Sequence, residues 1–123
     1  MEAWFYRTDG VNVTFMEIYG TDYPIMPMLR TLHMFPNMMK TMTADKGAIK
    51  HIFSGSDCYA PGLTSPGGNV TPDLEEQQLI ALHAEGKQHA MAIGVLLMSS
   101  EEITTKGKGN AIEVIQYLED GLW

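Results

Sequence analysis

Asp45–Gly67, DKGAIKHIFSGSDCYAPGLTSPG, decides how this 123-residue chain folds, because a short helix, a strand and two glycine turns follow one another in it without slack. Ala48, Ile49, Ile52 and Phe53 recur at helical spacing between Gly47 and Phe53, so one face of that segment is apolar and needs a core to cover it. Gly55 stops the helix, since a residue without Cβ enters the left-handed region of a helical C-terminus at little cost. From Cys58 the chain reads as a strand to Leu63, bent at Pro61-Gly62, where proline fixes φ and glycine lets another backbone come close. A surface built from backbone in this way suits a phosphate chain.

The elements on either side follow from equally local signals. Downstream, Leu79–Ala84 and His89–Met98 flank the tight turn Glu85–Gln88 and should pair antiparallel. Ser99 with Glu102 three residues later is a capping box that opens a short helix, and Gly107 and Gly109 release the chain into a last strand, Ala111–Leu118. Upstream, Met38–Thr43 reads as a strand. Pro24–Met34 carries Ile25, Met28, Leu29 and Leu32 at i, i+3, i+4 and i+7, an amphipathic helix closed by Pro36. Ala3–Tyr6 and Val11–Tyr19, joined through Thr8-Asp9-Gly10, read as a hairpin. The predicted fold class is α+β, mainly β: residues 38–123 make a pseudo-barrel with two short helices, preceded over residues 1–37 by the hairpin and one helix. The boundary falls near Asn37.

This order of elements, with GKQHAMAIGVLLMSSEEI from Gly86 and VIQYLEDGLW from Val114, resembles the PUA domain, an RNA-binding module. DKGAIK (Asp45–Lys50), PGLTSPG (Pro61–Gly67), AEGKQHA (Ala84–Ala90) and YLEDGLW (Tyr117–Trp123) narrow the resemblance to the malignant-T-cell-amplified-sequence family of translation factors, related to ligatin. The resemblance covers about residues 11–123, and its four motifs stand in one order. The resemblance implies a non-enzymatic, RNA-binding factor that docks on the small ribosomal subunit. With a density-regulated-protein partner it would act in non-standard initiation, reinitiation or ribosome recycling, touching rRNA and possibly tRNA. It also implies an N-terminal domain more complete than residues 1–37, and a short basic tail after the Gly-Leu-Trp motif.

Composition bounds these expectations. A formal charge of −7 argues against a generally electrostatic nucleic-acid binder, so any RNA contact must be local. Lys40, Lys46 and Lys50 cluster, while Asp73, Glu75, Glu76, Glu101, Glu102, Glu119 and Asp120 crowd the second half, an arrangement that permits one basic patch on an acidic body. One cysteine excludes an internal disulfide, and neither a long apolar run nor a basic leader is present. A cytoplasmic protein with no membrane partner is the expectation.

Lys46 and Lys50 stand at i and i+4, with His51 beside them, so both ammonium groups leave one helix face. In PUA domains the RNA groove lies between this helix and the following strand, so the resemblance assigns Lys46, Lys50, Gly62, Leu63 and Thr64 to its wall and floor. The competing reading is that the glycines serve only the turns and the lysines only solubility. Lys87, Gln88 and His89 occupy a hairpin tip and are candidate ribosomal contacts, although any soluble protein places polar residues there. Ile25, Met28, Leu29 and Leu32 are candidate partner contacts or a stripe buried locally on the barrel. Met26, Met28, Met34, Met38 and Met39 add an adaptable apolar face. Tyr59, Tyr117 and Trp123 are the aromatic candidates for stacking on bases, with Tyr117 alternating with Ile115 so that one ring face meets the core.

Other chemistries find little support. KGKG (Lys106–Gly109) lacks the spacing and closing hydroxyl of a nucleotide-binding loop. His83 and His89 have no cysteine pair or HExxH beside them, so no metal or other cofactor is called for. Cys58 reads as a small buried filler rather than a nucleophile. Two alternatives remain: a PUA module accessory to an RNA-modifying enzyme, and a protein-interaction adapter with an idle RNA groove. The acids ahead of the barrel, Asp9, Glu17 and Asp22 among them, stand in turn and strand positions that suggest no catalytic set.

Overall fold

The computed structural model describes residues 3–7, 14–18, 26–27, 32, 38–87 and 89–118. Three strands open the chain: β1 (Ala3–Arg7), β2 (Thr14–Ile18) and β3 (Met26–Pro27). They form one antiparallel sheet in the order β1-β2-β3, with Ala3 opposite Ile18 and Arg7 opposite Thr14. The hairpin is therefore present as its sequence predicts. The helix predicted from Pro24 is corrected at its start, because Met26 and Pro27 pair with Met16 and Phe15 as a strand. Proline is tolerated there because it sits on the edge strand of the sheet.

The second sheet has five strands: β4 (Thr41–Ala44), β5 (Cys58–Tyr59), β6 (Leu79–Ala84), β7 (Ala90–Leu96) and β8 (Asn110–Tyr117). Their order is β4-β6-β7-β8-β5. β4 runs parallel to β6, with Thr41 opposite Ala81 and Ala44 opposite Ala84, and the other neighbours are antiparallel. A parallel pair needs a long crossover. Here the crossover holds helix α1 (Lys46–Phe53), β5, helix α2 (Ala60–Thr64) and the loop to Gln78, which places the segment that opened the sequence analysis across one side of the barrel. Helix α3 (Ser100–Lys106) bridges β7 and β8.

Burial follows the strand period. Ile80, Leu82 and Ala84 of β6 join Met42 and Ala44 of β4 in the main core, where Ile52, Leu63 and Ile103 reach in from the three helices. Each fully buried Ile or Leu contributes roughly 1.5–3 kcal/mol of transfer free energy. The opposite face of β6 and β7 packs Ala81, Ala90 and Ile93 against Leu32, with Met39, Leu79, Ile115 and Leu118 around them. β7 is thus covered on both sides and buried along its whole length, as a central strand should be.

Two sequence expectations change here. The strand expected over Cys58–Leu63 stops after two residues, and Ala60–Thr64 is a third short helix. Pro61 lies in its first turn, where the missing N–H has no intrahelical partner to lose. Simple alternation also fails on β8. Ile93 pairs with Gln116 but Gly94 with Val114, so Ile115 is a bulge residue. Val114 and Tyr117 consequently pack on the main core, whereas Ile115 and Leu118 pack on the second cluster.

Candidate functional site

The N-terminus of α1 begins the site. Asp45 has extended backbone and its Oδ1 accepts from the Ala48 amide at 3.0 Å, an N-cap that satisfies one orphan donor of the first turn. The Lys46 amide donates to Glu85 Oε2 at 3.0 Å, which ties the β6–β7 turn to the same helix end. Ala48, Ile49, Ile52 and Phe53 face the core, so Lys46, Lys50 and His51 are left on the exposed side. Ser54 and Gly55 close the helix, with φ at Gly55 of 88°.

Beyond the helix, Asp57 anchors the turn into β5. Its Oδ2 accepts from Asn110 Nδ2 at 2.8 Å and its Oδ1 from the Val114 amide at 3.1 Å. Cys58 then points into the core, while Tyr59 stands out at 55% exposure on β5, which lies beside β8 at the end of the strand order. α2 packs close to α1. A Cβ on Gly62 would sit 3.0 Å from the Cβ of Ala48, and the Gly62 carbonyl accepts from the Asp45 amide at 2.8 Å. Close approach, not positive φ, is what requires glycine at this position.

Between α1, the β5 turn and α2 lies an open groove of about 430 Å³. Asp45, His51, Asp57, Tyr59, Gly62 and Ser65 are among its lining residues. The predicted groove residues divide accordingly. His51 and Gly62 line it. Lys46 and Lys50 are exposed on the α1 rim but are not lining residues. Leu63 is 1% exposed and belongs to the core, and the Thr64 hydroxyl donates to the Ala60 carbonyl at 3.2 Å. Lys87 and His89 are exposed at the β6–β7 turn and are not among the lining residues. Gln88 lies outside the described residues, as do Ile25, Met28 and Leu29 of the predicted partner stripe. Leu32, the last of that stripe, is 2% exposed and packed on the sheet, so the locally buried reading describes it.

The groove is acidic as well as apolar, which the lysine-based reading did not anticipate. A phosphate about 5 Å from Asp45 or Asp57 would be repelled by roughly 1–3 kcal/mol at an effective dielectric of ~20–80. An uncharged group would meet no such repulsion in the groove. Cys58, beside both carboxylates, has its thiol pushed up to about 12, first by burial and then by Asp45 and Asp57. It is a packing residue at neutral pH. Among the described residues no group of three His, Cys, Asp or Glu side chains could hold a metal ion.

Asp45 was recognisable as an N-cap, an acid directly ahead of an apolar-periodic run. Asp57 had no local signal, since its partners are 53 and 57 residues away in sequence. Ser56 and Ser65 enter the lining only through the closeness of the two helices.

A twisted mixed sheet with short helices in its crossovers and an open groove at the first of them is a PUA architecture. The PUA domain family model matches residues 40–118, and the chain belongs to that family. Within it, the chain is 48% identical over 102 residues to Malignant T-cell-amplified sequence 1 homolog of Drosophila melanogaster, covering 83% of this chain and 56% of that protein. It is 39% identical over 120 residues to Translation machinery-associated protein 20 of Schizosaccharomyces pombe, covering 98% and 65%. The chain thus spans about half to two thirds of the length of the curated relatives it matches. A conserved PUA domain protein from Thermoplasma acidophilum superposes with a TM-score of 0.67 at 22% identity, over 95% of this chain and 76% of that one, which bears on the fold alone.

Proposed function

We propose that this protein is an RNA-binding, non-enzymatic translation factor that docks on the small ribosomal subunit. The observation that carries this reading is the likeness to Translation machinery-associated protein 20 over nearly the whole chain, in a PUA fold whose groove has Lys46 and Lys50 on its rim. The finer role is action in non-standard initiation, reinitiation or recycling, with a density-regulated-protein-like partner supplying part of the affinity. The proposed partner contact draws on residues other than Leu32, which is packed on the sheet. Among the described residues no helix is long and apolar enough to cross a membrane, and association with ribosomes would place the protein in the cytoplasm.

The mechanism follows from the charges. Two exposed lysines one helical turn apart track the phosphates, and each phosphate they neutralise releases counterions, so affinity falls steeply with salt. Co-sedimentation with purified small subunits across a salt series, with and without the partner, tests the proposal. Salt-sensitive pelleting strengthened by the partner is expected. Lys46→Glu combined with Lys50→Glu should weaken it several tenfold with little change in melting temperature, since exposed charges contribute little to stability. Pelleting of that double variant equal to wild type would remove the groove from the mechanism. The acidic lining favours one competing reading, a protein-interaction adapter with an idle RNA groove, which predicts partner binding without salt-sensitive ribosome association.

A further inference from the structure

Two carboxylates hold the first turn of α1, one near in sequence and one far. Asp45 caps the Ala48 amide, and the turn contains no acidic residue of its own. The Lys46 amide donates instead to Glu85 Oε2 at 3.0 Å, across 39 residues of sequence. Glu85 is itself a fixed post. Its amide donates to the Ala44 carbonyl at 2.9 Å, which anchors the β6–β7 turn on the end of β4. Its carboxylate packs on Gly67, where φ is 96° and an added Cβ would lie 2.6 Å from even the farther oxygen, Oε1. The loop that carries Gly67 is fastened to β4 in turn, since Asn69 and Thr43 exchange both backbone hydrogen bonds.

A helix of eight residues is marginal alone, so tertiary contacts decide where it lies. Beyond its apolar face, the start of α1 has two ties to the rest of the fold: the Asp45 amide on the Gly62 carbonyl at 2.8 Å, and the Lys46 amide on Glu85. One bond permits a pivot, and two oppose it. We propose that Glu85 is a positioning residue for RNA binding: it fixes the start of α1, and with it Lys46, relative to α2 without itself lining the groove between them. This rests on the RNA-binding reading above and deepens it. By charge alone Glu85 would act in the opposite direction, because a carboxylate beside Lys46 repels phosphate. Removing the charge should therefore strengthen RNA binding, whereas removing the tie should weaken it, since only molecules with α1 in place are competent to bind.

Fluorescence anisotropy with the full 123-residue chain and a labelled single-stranded RNA of about 12 nucleotides separates the two effects. All variants are compared at one salt concentration and well below their melting midpoints. Glu85→Gln keeps the acceptor and the length of the arm but loses the charge, and should bind at least as tightly as wild type. Glu85→Ala loses both and should bind about threefold or more weakly. Glu85→Asp keeps the charge on a shorter arm and should also bind more weakly, which gives a second reading of the tie should the alanine variant fail to fold. In amide spectra of the free protein, the Lys46 signal should move in Glu85→Ala and Glu85→Asp together with that of Ser65, on the opposite wall of the groove. Glu85→Ala or Glu85→Asp binding as tightly as wild type would overturn the positioning role and leave the RNA-binding reading standing. Absence of RNA binding by the wild-type chain would overturn both.

Discussion

Burial and the carboxylates of Asp45 and Asp57 hold the Cys58 thiol protonated, and the sign of the resulting pH dependence is fixed. A pKa raised in the folded state from 9.0 to about 12 gives stability that is fully present below pH 9.0 and is lost as pH rises through about 12. From pH 7 to 10 the wild type should lose roughly 1 kcal/mol more than Cys58→Ala, because an unfolded thiol with a pKa near 9.0 ionises over that interval. Urea denaturation at the two pH values checks this. Gly62 belongs to the same scale. Gly62→Val should cost about 1–3 kcal/mol by forcing α2 away from Ala48, and Ala48→Gly in the same chain should recover part of it. The sequence showed that Gly62 admits a close approach, but not that the neighbour would be the Ala48 side chain of α1. Only the packing of two helices explains why its side chain must be absent.

At the scale of elements, what was legible is what is local. The Ser99 hydroxyl accepts from the Glu102 amide at 3.2 Å and the Glu102 carboxylate reaches back to the Ser99 amide, as the four-residue motif predicts. The Lys106 ammonium and Ser99 hold the Glu102 carboxyl below its usual range. Ser99→Ala should destabilise the protein by about 1 kcal/mol without affecting RNA binding, since α3 stands outside the groove. The β6–β7 hairpin was equally readable, its turn and both flanking strands being contiguous. The parallel pairing of β4 with β6 and the bulge at Ile115 were not, because both depend on partners distant in sequence. Gly94 sits at that bulge, where a Cβ would meet Ile112 Cγ2 at 2.5 Å and the Glu113 carbonyl oxygen at 2.7 Å. Backbone cannot yield as a side chain can, so Gly94→Ala should cost about 2 kcal/mol or more, measurable as a lowered midpoint in the same titrations.

Across the whole molecule, two cores share one sheet. The main core lies under the helices, and the second is completed by Leu32 from the segment that precedes the barrel. We propose that the division near Asn37 is a change of topology rather than a break in packing. Leu32→Ala should therefore destabilise the barrel itself by about 2–5 kcal/mol, read as a loss of cooperativity or midpoint in probes placed on β7. The charge balance acts at this scale too. A body of net charge −7 repels nucleic acid at long range, so the RNA binding proposed above would have to be local, at the groove beside α1. Amide chemical-shift mapping of the labelled protein titrated with single-stranded RNA tests that confinement most directly. Perturbations concentrated in residues 45–65, fading as salt is raised, are expected. Perturbations centred on the acidic surface around α3, or none at all, would contradict RNA binding through this groove.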